Sequence, residues 1–364
     1  MFPVGLVLGL KLLVAWGVYA LATQGNSSFA TFWMSEWGFR PNLDWPFLFH
    51  GWDSAWYMRI AKTGYSYPAY AFFPAYPLLI RAVSGPTGEY LMSSFAVSFV
   101  LGLIAIPLFQ LLAEHYVTRE EGVTMTLLFA LFPPVFFFTS VAYTESLFTV
   151  AILGTWVLCL RKRYLPATVF AAIATLTKVY GLLIALPLAT RLFDKKKRSM
   201  AFLALFVPSM TFVVWNGYLF SLTGDWTAYW SSQNHWREGW PLGINSIVRF
   251  LLELMSKTSG GTPVATQAAY VITTWLLIIV LFGALAVAAI DVDRDFGTYG
   301  AVLFLFIVTF GNVWSFSRFL PFILPVWLNA RVKSKFIMLI AILVFPMISL
   351  VMWHQFVVLG VWFG

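Results

Sequence analysis

Twelve consecutive residues, His50-Gly51-Trp52-Asp53-Ser54-Ala55-Trp56-Tyr57-Met58-Arg59-Ile60-Ala61, bring an acid, an imidazole, a guanidinium and three large aromatic rings together soon after the first apolar segment. Read as a short helix, the stretch puts Asp53, Trp56, Tyr57 and Ile60 at i, i+3, i+4 and i+7, on one face. A carboxylate in such an aromatic setting suits proton transfer, because partial desolvation favours its neutral form and a neighbouring cation its charged form. An Asp ahead of an apolar run is also a good helix N-cap, and tryptophans beside a membrane span are common interface anchors. Both readings stand on this stretch alone.

A second acid, Glu145 in Tyr143-Thr144-Glu145-Ser146, opens an apolar segment. Thr144 or Glu145 would satisfy the free N–H groups of a helix start, yet ionisable groups at membrane depth also mark a pathway or a pair. Two cations, Lys178 and Arg318, are likewise set in apolar sequence. Each either snorkels to the headgroups or anchors an anionic head inside a cavity. The run from Tyr229 to Pro241 interleaves aromatics with Gln233, Asn234, His235, Trp236, Arg237 and Glu238. Rings alternating with amides and charges suit a sugar, although interfacial packing explains any one of these tryptophans as well. His235 and Glu238 have ligand spacing but no second cluster, so no metal site is expected there. Asp291, Asp293 and Asp295 read as a solvated loop.

The elements that must position these groups follow from composition. The chain has 364 residues, 60% of them hydrophobic and 10% charged, with a mean hydropathy of +0.81. Globular chains carry ~25% charge, so a soluble fold is excluded and an all-α polytopic membrane protein is expected. The single Cys159 excludes an intrachain disulfide framework. A net charge of +8 does not point to nucleic acid, because no soluble basic domain accompanies it. No Walker-type or dinucleotide fingerprint is present.

Apolar segments near 3–22, 89–113, 122–140, 144–160, 165–177, 179–193, 200–220, 265–290, 297–314, 316–328 and 336–353 predict about eleven crossings within one membrane domain, 1–364. Residues 3–22 end in an A-x-A-like Ala20-Leu21-Ala22 but lack a basic n-region, so an uncleaved anchor is expected. With the N-terminus cytoplasmic, more than half of the 23 basic residues fall in short inner loops, notably Arg161-Lys162-Arg163 and Lys195-Lys196-Lys197-Arg198. Two long loops, about 23–88 and 221–264, then lie outside. The outer sequon Asn26-Ser27-Ser28 fits that side. The stretch from Tyr164 to Phe193 must be a hairpin, since one helix would put two basic loops on opposite sides. Each arm then covers only ~20 Å of a ~30 Å core, so the turn near Lys178 lies below the outer surface, at the floor of an outward-facing cavity. Prolines and aromatics in Ala71-Phe72-Phe73-Pro74-Ala75-Tyr76-Pro77 predict short helices in the first outer loop.

Trp52-Asp53 with Tyr57, Arg59-Ile60-Ala61 and Gly64-Tyr65, then Ala71-Phe72-Phe73-Pro74 with Pro77, resemble the PIG-V family, the GPI mannosyltransferase 2 type of the GT-C glycosyltransferases. Tyr143-Thr144-Glu145-Ser146-Leu147-Phe148 and Arg318-Phe319 with Pro321 support the resemblance. It implies a GT-C-like, multi-pass enzyme of the cell or endoplasmic reticulum membrane, with its active site on the outer or lumenal face. The implied donor is a dolichyl or other polyprenyl phosphate mannose, and the implied acceptor is a lipid or glycan. No metal or other cofactor is expected. Asp53 matches the acid that serves as base in such inverting enzymes. The leaving phosphate would then meet Lys178, Arg318 and Arg59. His50, Trp52, Tyr57, Phe73, Glu145, Gln233, His235, Trp236 and Arg237 are the expected substrate-binding residues. The other class left open is a lipid or small-molecule transporter using the same cavity, although no inverted repeat is apparent.

Overall fold

A computed structural model describes residues 2–22, 45–237, 245, 249, 252, 279–311, 315–330 and 334–357. Every element among these is an α- or 3-10 helix. In hydrocarbon a backbone has no water to bind, and a helix closes its hydrogen bonds within one segment. The chain divides into two compact units, Met1–Gln233 with Ala330–Trp362, and Asn234–Asn329 with Phe363–Gly364.

In the first unit, helix α1 (Phe2–Ala22) is followed by a 3-10 turn, Trp45–Phe49, and two short helices, α2 (Asp53–Thr63) and α3 (Ala75–Ser84). The short helices expected in the first long loop are therefore present. Next come α4 (Tyr90–Ala113), α5 (Arg119–Leu131), α6 (Pro133–Phe138), α7 (Glu145–Leu160), α8 (Tyr164–Thr177), α9 (Ala185–Asp194), α10 (Arg198–Thr223) and α11 (Ala228–Arg237), in which the unit ends. Helices α12 (Ile279–Val292), α13 (Arg294–Phe310) and α14 (Phe316–Phe319) belong to the second unit. Helix α15 (Lys335–Val357) returns to the first.

Among the described residues, four helices are long and apolar enough to cross a membrane: α1, α4, α10 and the Phe336–Phe356 part of α15. At a rise of about 1.5 Å per residue, α1 reaches ~31 Å, the thickness of a hydrocarbon core. The remaining expected crossings within the described residues are shorter apolar helices or broken ones. The segment expected over 122–140 is two helices. Pro133 and Pro134 push Phe132 out of the helical region (φ −53°, ψ 125°), and Pro133 then restarts the helix at its first position. The segment expected over 316–328 is α14 plus 3-10 turns at Leu320–Phe322 and Leu324–Asn329, because Pro321 and Pro325 supply no N–H to an α-ladder. The sequon at 26–28 and most of the 221–264 loop lie outside the described residues.

The hairpin expected between Tyr164 and Phe193 is there. Helix α8 stops at Lys178, whose backbone is extended (φ −153°, ψ 145°), and a 3-10 turn, Val179–Ile184, leads into α9. A side chain on Gly181 would meet the backbone of Ala174 at 2.2 Å, so the returning arm lies directly on α8. Helix α7 packs along α4 on one side and α8 on the other, α10 covers α8 and α9, and α15 lies on α1, α5 and α6. Apolar side chains facing one another between these helices make the core.

In the second unit, Asp293 caps α13 by accepting the N–H of Phe296 at 2.9 Å, and Arg294 pairs with Asp295 at 3.3 Å. The acidic run read as a solvated loop is thus in part a helix start.

Candidate functional site

The loop ahead of α2 is fixed from several sides. The indole of Trp353 donates to Leu48 O at 2.6 Å, and the N–H of Ala142 donates to Phe49 O at 2.8 Å. The Phe356 ring lies 2.7 Å from where a Gly51 side chain would begin. His50 is 2% exposed, with Nε2 2.8 Å from Ser94 Oγ. Trp52 then takes a left-handed φ of 48°, uncommon for a bulky residue, and turns the chain into α2. Asp53 is the first residue of that helix, after Trp52 at the cap position. Ser54 ties the turn, its Oγ accepting from Gly51 N at 2.7 Å and donating to Gly51 O at 2.8 Å.

A helix start leaves its first N–H groups without intrahelical partners. Here the Tyr143 hydroxyl accepts from Asp53 N at 3.2 Å and donates to Gly51 O at 3.1 Å. The Asp53 carboxylate is half-buried at the positive end of α2, where negative charge is favoured. Tyr57, 4% exposed, stands edge-on to Phe72, Tyr76 and Tyr143. Trp56 stacks on Phe72, and the exposed Arg59 guanidinium lies 5.5 Å over the Trp56 ring. That stacking is the observed setting of the guanidinium expected at a phosphate.

Residues 139–144 form a fully buried turn between α6 and α7. Its polar groups are met by the surrounding helices. Ser98 Oγ donates to Tyr143 O at 2.8 Å, and the Tyr76 hydroxyl sits 2.6 Å from Ser98 Oγ and 2.9 Å from Ser94 O. Burial pushes the Tyr76 phenol well above its usual pKa; the Ser98 contact works against this, while Tyr57 and Glu145 add to it. Tyr76 therefore remains a neutral hydroxyl. Thr144 Oγ1 reaches Tyr57 Oη at 3.5 Å, the outer limit of a hydrogen bond, and makes no side-chain cap on α7.

Glu145 begins α7, is 1% exposed and accepts from Lys178 Nζ at 2.9 Å. Lys178, with its side chain 11% exposed, is the residue at which α8 breaks. The two ionisable groups read separately from the sequence are thus one buried ion pair. Such a pair is held by mutual attraction in a poorly solvated setting and is costly to break from one side.

The other expected residues fall elsewhere. Phe73 packs with Trp215, Leu219, Ala228 and Tyr229. Gln233 donates to Ala71 O and to the Tyr229 hydroxyl, both at 3.3 Å, which ties α11 to the first loop. His235 and Trp236 lie edge-on to each other in the second unit, and Arg237 ends α11. Arg318, also in the second unit, is 5% exposed and lies 5.4 Å over the Phe319 ring. Among the described residues no three His, Cys, Asp or Glu side chains converge as a metal centre would require.

Sequence reasoning assigned no role to Tyr143, Tyr76, Ser94 or Ser98. Tyr143 adjoins Thr144-Glu145 in a polar break between apolar stretches, and Ser94 and Ser98 stand at i, i+4 inside an apolar helix. Both were usable signals.

The fold and the site define a helical membrane protein with a half-buried carboxylate in an aromatic-walled polar network at its first loop. Residues 45–206, which contain that network apart from its contacts to α15, match the family of mannosyltransferases of the PIG-V type. The resemblance read from the motifs is thereby shown. A search among curated proteins finds no match.

Proposed function

We propose that the protein is an inverting mannosyltransferase that takes mannose from a polyprenyl phosphate donor and passes it to a lipid or glycan acceptor on the non-cytoplasmic side of the membrane. The observation that carries this reading is the half-buried Asp53 carboxylate at the start of α2, within the stretch that matches the family. The acceptor hydroxyl gives its proton to Asp53 as its oxygen bonds to the anomeric carbon. The bond from that carbon to the phosphate oxygen breaks, and polyprenyl phosphate leaves. Positive charge near the departing phosphate lowers the barrier. Lys178 supplies it by sharing its ammonium between Glu145 and the phosphate, and Arg59 by leaving the Trp56 ring. His50, Trp52 and Tyr57 line the sugar side of Asp53, and Phe73 and Gln233 serve the acceptor.

The test is incubation of the purified protein with a panel of polyprenyl phosphate sugars, reading released polyprenyl phosphate. Release from the mannose donor that depends on an acceptor and on Asp53 supports the reading. Movement of lipid across liposomes without any sugar product would replace it with transport.

A further inference from the structure

Helix α1 is apolar throughout its length except for Lys11, and that lysine is 1% exposed. An apolar residue would pack there without the several kcal/mol that burying an ammonium costs, so the charge calls for a partner that justifies it. Among the described residues, its hydrogen-bond partner is Thr139. Lys11 Nζ donates to Thr139 O at 3.1 Å and to Thr139 Oγ1 at 2.8 Å, and it lies 5.7 and 5.5 Å from the ring centres of Phe99 and Phe136. Thr139 closes α6, where a cation suits the negative helix end. The same carbonyl presses on α4, since a side chain on Gly102 would meet Thr139 O at 2.4 Å.

Thr139 is also the first residue of the buried turn whose far end holds Tyr143 and Glu145. Four residues on, Tyr143 binds the backbone of Gly51 and Asp53. Two further on, Glu145 binds Lys178. We infer that Lys11 is a positioning residue for the proposed transfer, fixing from the first apolar helix the turn that aligns Asp53 through Tyr143. The inference rests on the reading of Asp53 as the base.

The test compares wild type with Lys11→Met, Thr139→Val and Tyr143→Phe in the full-length protein in detergent. Hydrogen exchange reads the turn without reference to activity. In Lys11→Met the amides of 139–144 exchange at least about tenfold faster at unchanged rates in α10, and unchanged protection of the turn overturns the inference whatever the enzyme does. With the mannose donor, Lys11→Met lowers kcat by about tenfold while donor KM stays within about twofold. Combined with Tyr143→Phe, the loss is no greater than the larger single loss, whereas losses that multiply would make Lys11 merely structural. Should Lys11→Met not fold, Thr139→Val, which keeps shape and removes one acceptor, gives the same readings: faster exchange of the turn supports the inference, and wild-type exchange overturns it. An inert Asp53→Asn beside a fully active Lys11→Met sinks this inference alone. An Asp53→Asn as active as wild type sinks the base reading instead.

Discussion

Asp53 and Glu145 occupy equivalent local positions and opposite environments. Each is the first residue of a helix, and in neither case does the preceding residue cap the helix with its side chain. Asp53 is half-buried, beside a turn with strained backbone at Trp52; Glu145 is 1% exposed and paired with Lys178 at 2.9 Å. A base must be reachable by the hydroxyl it deprotonates, whereas a buried, neutralised carboxylate holds structure together. The proposed function puts chemistry on the first acid, and the surroundings of the second suit architecture.

The largest expected effect tests that division directly. Asp53→Asn lowers mannosyl transfer by about 10²–10⁴-fold with the fold retained, while Glu145→Gln, whose amide oxygen still accepts from Lys178, loses far less. Equal losses in a transfer assay would end the distinction. On stability the order reverses. Glu145→Ala leaves Lys178 buried without its carboxylate and costs about 3–5 kcal/mol, whereas the double replacement Glu145→Leu with Lys178→Met recovers most of it. Thermal melting in detergent measures both, and a Glu145→Ala protein as stable as wild type would mean the pair is solvated.

Two smaller effects sharpen the comparison on the Asp53 side. Gly51→Ala must displace the Phe356 ring, found 2.7 Å from the added carbon, and costs about 1–3 kcal/mol. A neutral outcome in the same melts would show that the α15 end gives way freely. Tyr143→Phe removes the hydroxyl that bridges Gly51 O and Asp53 N, and lowers kcat by about tenfold, or ~1.4 kcal/mol of barrier, with little change in melting. A kcat equal to wild type would leave Asp53 held by its helix alone.

Much of this was legible before any coordinates. The run from Trp52 to Ala61 has helical spacing, and a helix stands there with Tyr57 and Ile60 buried and Asp53 half-buried. The break at Lys178 followed from loop charges and the short length of each arm. The crossing drawn over 122–140 is interrupted at Phe132-Pro133-Pro134, because hydropathy averages over prolines that break the backbone ladder. Arg318 was expected at the leaving phosphate from its apolar setting and the family resemblance; it lies in the second compact unit and Asp53 in the first.

Composition by itself determined that this chain is helical and membrane-borne, since 60% hydrophobic residues with few charges leave the backbone no partner but itself. Local sequence marked Asp53 and Glu145 as candidates for helix starts, because that depends on neighbours within a turn, but it missed the start at Asp293. Only the tertiary structure decided what those acids touch. Glu145 meets a lysine 33 residues away, the Asp53 backbone meets a tyrosine hydroxyl 90 away, and Lys11 meets a threonine 128 away. Periodicity tells which face of a helix is buried, but the partner across that face is set by how whole helices pack, and no local pattern records it.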